Sequence, residues 1–288
     1  MIGAEPPTDE VEEQRMPLMD HLRELRYRLV VSGLALAGGM VIGMPLANPV
    51  FALLTAPMRL IFKDADSYPG IDAFYLTVTG PIRNLLPASL TEVTIEGTLA
   101  LTTSPMEGVY TWLRVALLTG GLLASPIIAY QGWNFVAPGL YKTEKRVVMP
   151  LALTSSFLFA LGATFAFLVL LPVAFPFFLQ VVKATPVLSI DGYLRAVARM
   201  LIAFGICFQL PVVVWFLARI GLIDHRDMVG GFRYAIVGLF AVAAIITPPD
   251  ILTQIILGIP LVSLYGLSIG VAWWSTTKVR DDEANGAT

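Results

Sequence analysis

The sequence predicts an all-α polytopic membrane protein, and three observations carry that expectation. Of its 288 residues, 56% are hydrophobic and 14% charged, with a mean hydropathy of +0.75. A water-soluble globule of that composition would expose large apolar patches. The apolar residues also come in runs of spanning length, and in hydrocarbon such runs satisfy their backbone N–H and C=O groups by forming helices. Finally, Lys and Arg are distributed unevenly among the connections. The expected architecture is six transmembrane helices in a cupped, concave body, with both termini cytoplasmic and the last two spans short.

Taken in order, residues 1–16 form an acidic, Pro-containing tail, too polar to bury anything and expected to be disordered. It is not the basic-then-apolar pattern of a cleavable signal peptide, so the first internal span is expected to direct insertion. From Pro17, PLMDHLRELRYRL places Leu18, Leu22, Leu25 and Leu29 on one helical face, with Asp20, Arg23 and Glu24 on the other. That pattern predicts a helix lying at the membrane surface with Glu24 facing the cytosol. The spans are expected near residues 29–51, 105–133, 147–180, 192–217, 234–246 and 251–274, with residues 275–288 as a cytoplasmic tail. Arg15, Arg23, Arg26, Arg28, Lys142, Lys145, Arg146, Arg219, Arg226, Arg233, Lys278 and Arg280 fall on one side of that arrangement. Only Arg59, Lys63, Arg83, Lys183 and Arg195 fall on the other, which makes the first side cytoplasmic.

Several helix starts are legible. Ser104-Pro105-Met106-Glu107 resembles a capping box, Asp191 and Asp250 are candidate caps for the fourth and sixth spans, and Asp224 with Asp227 repeats the pattern. The fifth span, about 20 Å of helix against a hydrocarbon core of about 30 Å, is expected to draw residues 247–250 below the outer surface. Pro126, Pro150, Pro172, Pro176 and Pro211 are expected to bend their helices. In the first outer loop, residues 52–103, the alternation at residues 92–96 suggests a short strand.

The insert from Tyr130 to Arg146, YQGWNFVAPGLYKTEKR, lies between two spans. Tyr130, Trp133, Phe135 and Tyr141 suit the headgroup layer, and Pro138-Gly139 breaks the helix. Glu144, among Lys142, Lys145 and Arg146, reads either as a solvated surface pair or as an acceptor for a cation supplied from outside. Arg114 lies about 13 Å into the second span and, like Arg199 in the fourth, can snorkel to the outer surface. Gln209, near the middle of the fourth span, cannot; it bonds another helix, lines a wet groove or meets a partner. Gln254 and Thr247 raise the same question around the short pair. Gly39 to Gly43 and Gly266 to Gly270 have the small-xxx-small spacing that permits close helix contact.

Enzyme and nucleic-acid signals are missing. There is no Walker A loop, HExxH or GxSxG motif; His21 and His225 are too few for a metal site; and the net charge of -2 lacks the basic block that nucleic acid favours. No cofactor or enzymatic activity is expected. Cys207, the single cysteine, reads as a small core residue. Two functional classes remain: a receptor for a basic ligand, and a small-solute secondary transporter, which would need pairable charges near mid-membrane and two related halves.

HLRELRYRL at 21–29, SPMEGVYTWLRVAL at 104–117, SPIIAYQGWNFVAPGLYKTEKR at 125–146, FGICFQLPVVV at 204–214 and TPPDILTQIILGIPL at 247–261 together resemble TatC, the core subunit of the twin-arginine protein translocase. The resemblance runs in order from Pro17 to Trp274. It implies a six-helix concave receptor in the cytoplasmic membrane of a bacterium or archaeon, driven by the proton gradient, which binds signal peptides of folded exported proteins. It places the recognition glutamates at Glu24 and Glu144, with Arg26, Phe135, Pro138 and Tyr141 shaping the site. It makes Pro57 and Pro126 scaffold positions. Thr247 and Gln254 fall where TatA- and TatB-type single-span partners dock, in a complex with several TatC copies. Where well-known members carry a glutamate on the fourth helix, this chain has Gln209, and its first outer loop is longer than in compact members.

Overall fold

The computed structural model describes residues 18–59, 69–83, 105–136, 148–175, 189–246 and 251–286. The described residues are helical, without strands, as the composition requires. Helix α1 runs Leu18–Gly43, α2 Ala47–Arg59, α3 Pro69–Arg83 and α4 Pro105–Val136. Helix α5, Val148–Phe165, continues through a π-turn at Ala166–Leu170 to Phe175. Then follow α6 Ile190–Cys207, α7 Leu210–Arg219, α8 His225–Gly230, α9 Phe232–Ile246 and α10 Ile251–Gly286. Among the described residues, five helical stretches are long and apolar enough to cross a membrane, and the 15-residue apolar α9 covers the expected short span at 234–246.

Several boundaries differ from the sequence expectation. The surface helix and first span are one continuous helix, α1, because no Gly-Pro break or cap separates Leu29 from the polar turns before it. The last span is not short: its apolar part, Gln254–Ser275, has 22 residues, and the helix carries on through what was expected to be a tail. The first span ends at Gly43 instead of reaching residue 51: helix α2 begins at Ala47, inside that expected span, and with α3 occupies much of what was expected to be the first outer loop. Their threonines Thr55, Thr77 and Thr79 return hydroxyl protons to carbonyls four residues back, so these polar residues sit within a helix without competing for its N–H groups. The expected strand at 92–96 lies outside the described residues.

The prolines act according to position. Pro150 falls in the first turn of α5, where its missing N–H is not needed, and does not bend the helix. Pro172 would collide with the Leu168 carbonyl, and the extra residue in the π-turn relieves that, with the Leu171 N–H donating to the Ala166 carbonyl. Pro211 is the second residue of α7, just past the Phe208–Gln209 turn that separates α6 from α7. Pro176 lies outside the described residues.

Helix ends fix the alternation. Asp191 is not the cap of α6: Ser189, with extended backbone, accepts the Gly192 N–H at 3.3 Å, and Asp191 lies in the first turn. Asp224 does cap α8, in a reciprocal box with Asp227. Desolvation, the largest single influence on Asp224, is outweighed by the combined hydrogen bonds from the His225 backbone and ring and the charges of His225 and Arg226, which hold its carboxyl below the ordinary range. Helix α7 ends in a Schellman arrangement on Gly221 at φ +73°, with the Leu222 N–H reaching the Leu217 carbonyl at 2.9 Å.

The main core gathers α2, α3 and the π-turn around α6: Tyr193 stacks edge-on against Phe175 and donates to the Leu54 carbonyl at 2.8 Å, while Tyr75 meets Phe167. A second cluster closes α7, α8 and α10, with Met228 against Val214, Ala218 and Ala272 and Tyr265 donating to the Met228 carbonyl. Helix α1 lies antiparallel to α4, and most of its apolar side chains remain exposed.

Candidate functional site: the Glu24 end of the bundle

Glu24 and Arg28, four residues apart, share one face of α1. Both Nε and Nη2 of Arg28 donate to Glu24 Oε1, at 3.2 and 2.7 Å, while Nη1 donates to Gln131 Oε1 on α4 at 3.1 Å. The two side chains are 20% and 23% exposed, so the pair is mostly covered yet reachable from outside. Thus the carboxylate already holds a guanidinium and is tied through it to α4. Phe135, half-buried, stands one turn beyond Gln131 on the same side of α4. The chain leaves that helix at Val136 toward Pro138, Tyr141 and Glu144, three candidates outside the described residues. Arg26 is exposed and, two residues on, lies about 200° around α1 from Glu24, so it does not join this pair.

Below this end a polar seam ties three helices together. Trp133 donates from Nε1 to Ser155 Oγ at 2.8 Å and packs edge-on against Phe216. Gln209 donates to the Ser155 carbonyl at 2.9 Å and to Gly205 at 3.4 Å, and Ser125 and Ser156 join hydroxyls at 2.8 Å. Gln209 therefore spends its amide N–H groups between helices, the structural alternative among its readings. Losing that bond by Gln209→Leu should cost about 1 kcal/mol. Gln209→Glu should destabilise more at pH 8, because it aims a charged acceptor at a carbonyl, and should recover as pH falls and the acid is protonated. Thermal unfolding of the detergent-solubilised variants at two pH values checks both.

The other predicted positions are spread out. Gln254 donates to the Phe240 carbonyl at 3.0 Å and so fastens α10 to α9, where Gly258 also receives the Phe240 ring. Thr247 lies outside the described residues. Pro57 is buried in α2 and Pro126 is exposed on α4, neither near Glu24 in its helix.

At the opposite end is a polar cluster that sequence reading missed. Buried Asp191 is paired through Oδ1 with Arg114 and through Oδ2 with Arg195 at 2.5 Å, and Thr111 lies 3.4 Å from Oδ1. Glu107 accepts the Ser189 hydroxyl. Arg114 thus finds a partner on α6 instead of snorkelling. The spacing of Glu107, Thr111 and Arg114 on one face of α4 was the available signal.

Comparison with known proteins gives the same picture. The family description "Sec-independent protein translocase protein (TatC)" matches residues 20–260. The TatC of Desulforapulum autotrophicum is 37% identical over 277 residues, covering 94% of this chain and 90% of the relative. That of Helicobacter pylori strain 26695 is 40% identical over 274 residues, with 93% and 92% covered. A crystal structure described as the twin arginine translocase receptor TatC superposes with a TM-score of 0.67 at 37% identity, covering 89% of this chain and 99% of that one. With matches of this extent in sequence and in fold, the chain belongs to the TatC family of Sec-independent protein translocase proteins.

Proposed function

We propose that this protein is the twin-arginine signal-peptide receptor and core of a translocase that exports folded proteins across the cytoplasmic membrane of a bacterium or archaeon. The observation that supports it is the Glu24 carboxylate itself: partly exposed, already paired with an arginine fork, and joined through that arginine to the helix that leads to Glu144. Planar guanidinium forks pair with carboxylates in a way lysine does not reproduce, which suits recognition of arginine in particular. In this reading Glu24 and Glu144 hold the arginine pair, and Phe135, Pro138 and Tyr141 shape the surroundings. TatA- and TatB-type subunits gather around α9 and α10 near Thr247 and Gln254, where the short α9 favours a thinned bilayer. Several copies of the chain share one complex, and the proton gradient supplies the work.

A small-solute transporter fits less well. Gln209 is neutral and bonded between helices, and Arg114 is already paired with Asp191. Joint Glu24→Gln and Glu144→Gln replacement should weaken binding of a synthetic twin-arginine signal peptide by on the order of a hundredfold and abolish its photo-cross-linking to the chain. Unchanged binding overturns the assignment.

A further inference from the structure

Residues 200–218 hold no Asp, Glu, Lys or Arg, and an arginine stands at each end of them, Arg199 and Arg219. At about 1.5 Å per residue the two positions lie about 30 Å apart along α6 and α7, the thickness of the hydrocarbon core. Arg219 marks the inner boundary: it is exposed and lies over the Trp215 ring, 5.4 Å from its centroid, a base and an aromatic at headgroup level. Arg199 then stands at the outer boundary. Arg195, one turn nearer the start of α6, stands about 6 Å above it, inside the headgroup layer. Arg195, Arg199, Ile202 and Ile206 recur at helical spacing on one face of α6, and all four are exposed, the isoleucines at 45% and 60%. From the headgroups inward, that face is two guanidiniums followed by an apolar track. Arg195 gives one side of its fork to Asp191, and Arg199 has no hydrogen-bond or ion-pair partner among the described residues. On α4 and α6 the outer end sets three arginines, Arg114, Arg195 and Arg199, against two acids, Asp191 and Glu107. The surplus positive charge lies at the edge of the hydrocarbon, where a charge requires a counter-ion.

We propose that the outward face of α6 is a binding site for an anionic phospholipid of the outer leaflet, with Arg195 and Arg199 holding its phosphate and Ile202 and Ile206 flanking its acyl chain. A phosphodiester offers acceptor oxygens that suit guanidinium forks. A free anion would meet the guanidiniums but leave the apolar track unused, whereas a phospholipid carries both chemistries at the spacing the helix presents. The surplus of positive charge selects a lipid with no ammonium group of its own, since a zwitterionic headgroup would bring a like charge to the same place.

The test uses the full chain in phosphatidylcholine nanodiscs doped with phosphatidylglycerol that carries a diazirine on its acyl chain, or with the matching phosphatidylcholine probe. Peptide mass mapping after illumination reads where each probe has attached. In the parent chain the phosphatidylglycerol probe should label residues 202–206 about two- to fivefold more than the phosphatidylcholine probe, the factor a partly exposed ion pair is worth. Arg199→Gln should remove most of that excess and leave labelling at the cytoplasmic ends of α7 and α9 unchanged. Arg199→Lys keeps the charge without the fork and should retain part of the excess; it carries the test if Arg199→Gln does not fold. Inorganic phosphate in large excess should not compete. Equal labelling of this face by the two probes in the parent chain overturns the site. So does an excess undiminished in Arg199→Gln, or in Arg199→Lys where only that variant folds. Loss of the excess to inorganic phosphate would make the occupant a free anion, and labelling by neither probe would make it a protein, such as a second copy of the chain; each overturns the lipid assignment.

Discussion

Asp191→Ala should destabilise the protein by about 3 kcal/mol, a fall in unfolding temperature of roughly 5–10 °C. The carboxylate is 9% exposed and satisfies two arginines at once, Arg114 on α4 and Arg195 one turn along α6. Their fates on its removal differ. Arg195 is 55% exposed and reverts to water or headgroups at small cost. Arg114 keeps only a quarter of its side chain accessible and lies inside a span, so it loses its counter-charge and keeps only the residue-191 carbonyl at 3.4 Å, which is the expensive case. The magnitude is set at the low end of the range for breaking a buried pair because of that remaining exposure. Removing both charges with Asp191→Leu and Arg114→Met should recover most of the loss, since an apolar pair of similar volume requires no compensation. Differential scanning fluorimetry of the solubilised protein decides it: a single variant as stable as the parent would mean the pair contributes nothing, and a double variant worse than the single would mean the cost is packing rather than charge.

This pair also shows where sequence reading stops. Hydropathy could mark the long apolar runs as helices, because lipid leaves such a run no alternative, but it did not show that the first expected span, 29–51, is interrupted after Gly43. Asp224 could be read as a cap because a capping box is local, completed within four residues. Asp191 could not, because Ser189 two positions earlier is equally suited to capping and the partner that claims Asp191 lies 77 residues away. The same limit applied to Gln209: its depth excluded snorkelling, but only the packing of α5 against α6 shows that Ser155 accepts its proton. Helix α1 was divided wrongly for a different reason. Charge marks where a helix leaves the hydrocarbon, and it says nothing of where the helix stops. At the candidate site, Glu24, Arg28 and Gln131 all lie in motifs legible in the sequence, but that Arg28 joins Glu24 to Gln131 became visible only when α1 lay against α4.

That contact is the subject of the second large effect: Gly120→Leu should separate α1 from α4 and cost about 3 kcal/mol or more, toward the upper end of overpacking penalties. A Cβ on Gly120 would stand 2.4 Å from the Met40 nitrogen and 2.6 Å from the Gly39 carbonyl carbon, and one on Gly39 would stand 2.4 Å from the Gly120 oxygen. All of these are backbone atoms, which cannot rotate away. Between helices in lipid there is no hydrophobic drive to absorb the loss, since lipid tails are as apolar as leucine; close approach through small residues supplies much of the attraction itself. Gly38→Ala is the control, because its Cβ would meet nothing within 4 Å and helix propensity favours alanine by up to about 1 kcal/mol. The consequence extends to the other end of the pair. Arg28 on α1 reaches Gln131 on α4 only while the two helices lie in contact, so Gly120→Leu should also loosen the seat of Glu24 and weaken binding of a twin-arginine peptide, though no residue at that seat has changed. Gly120→Leu matching Gly38→Ala in both unfolding temperature and peptide binding would show that the close crossing at Gly39 and Gly120 does not hold the receptor together.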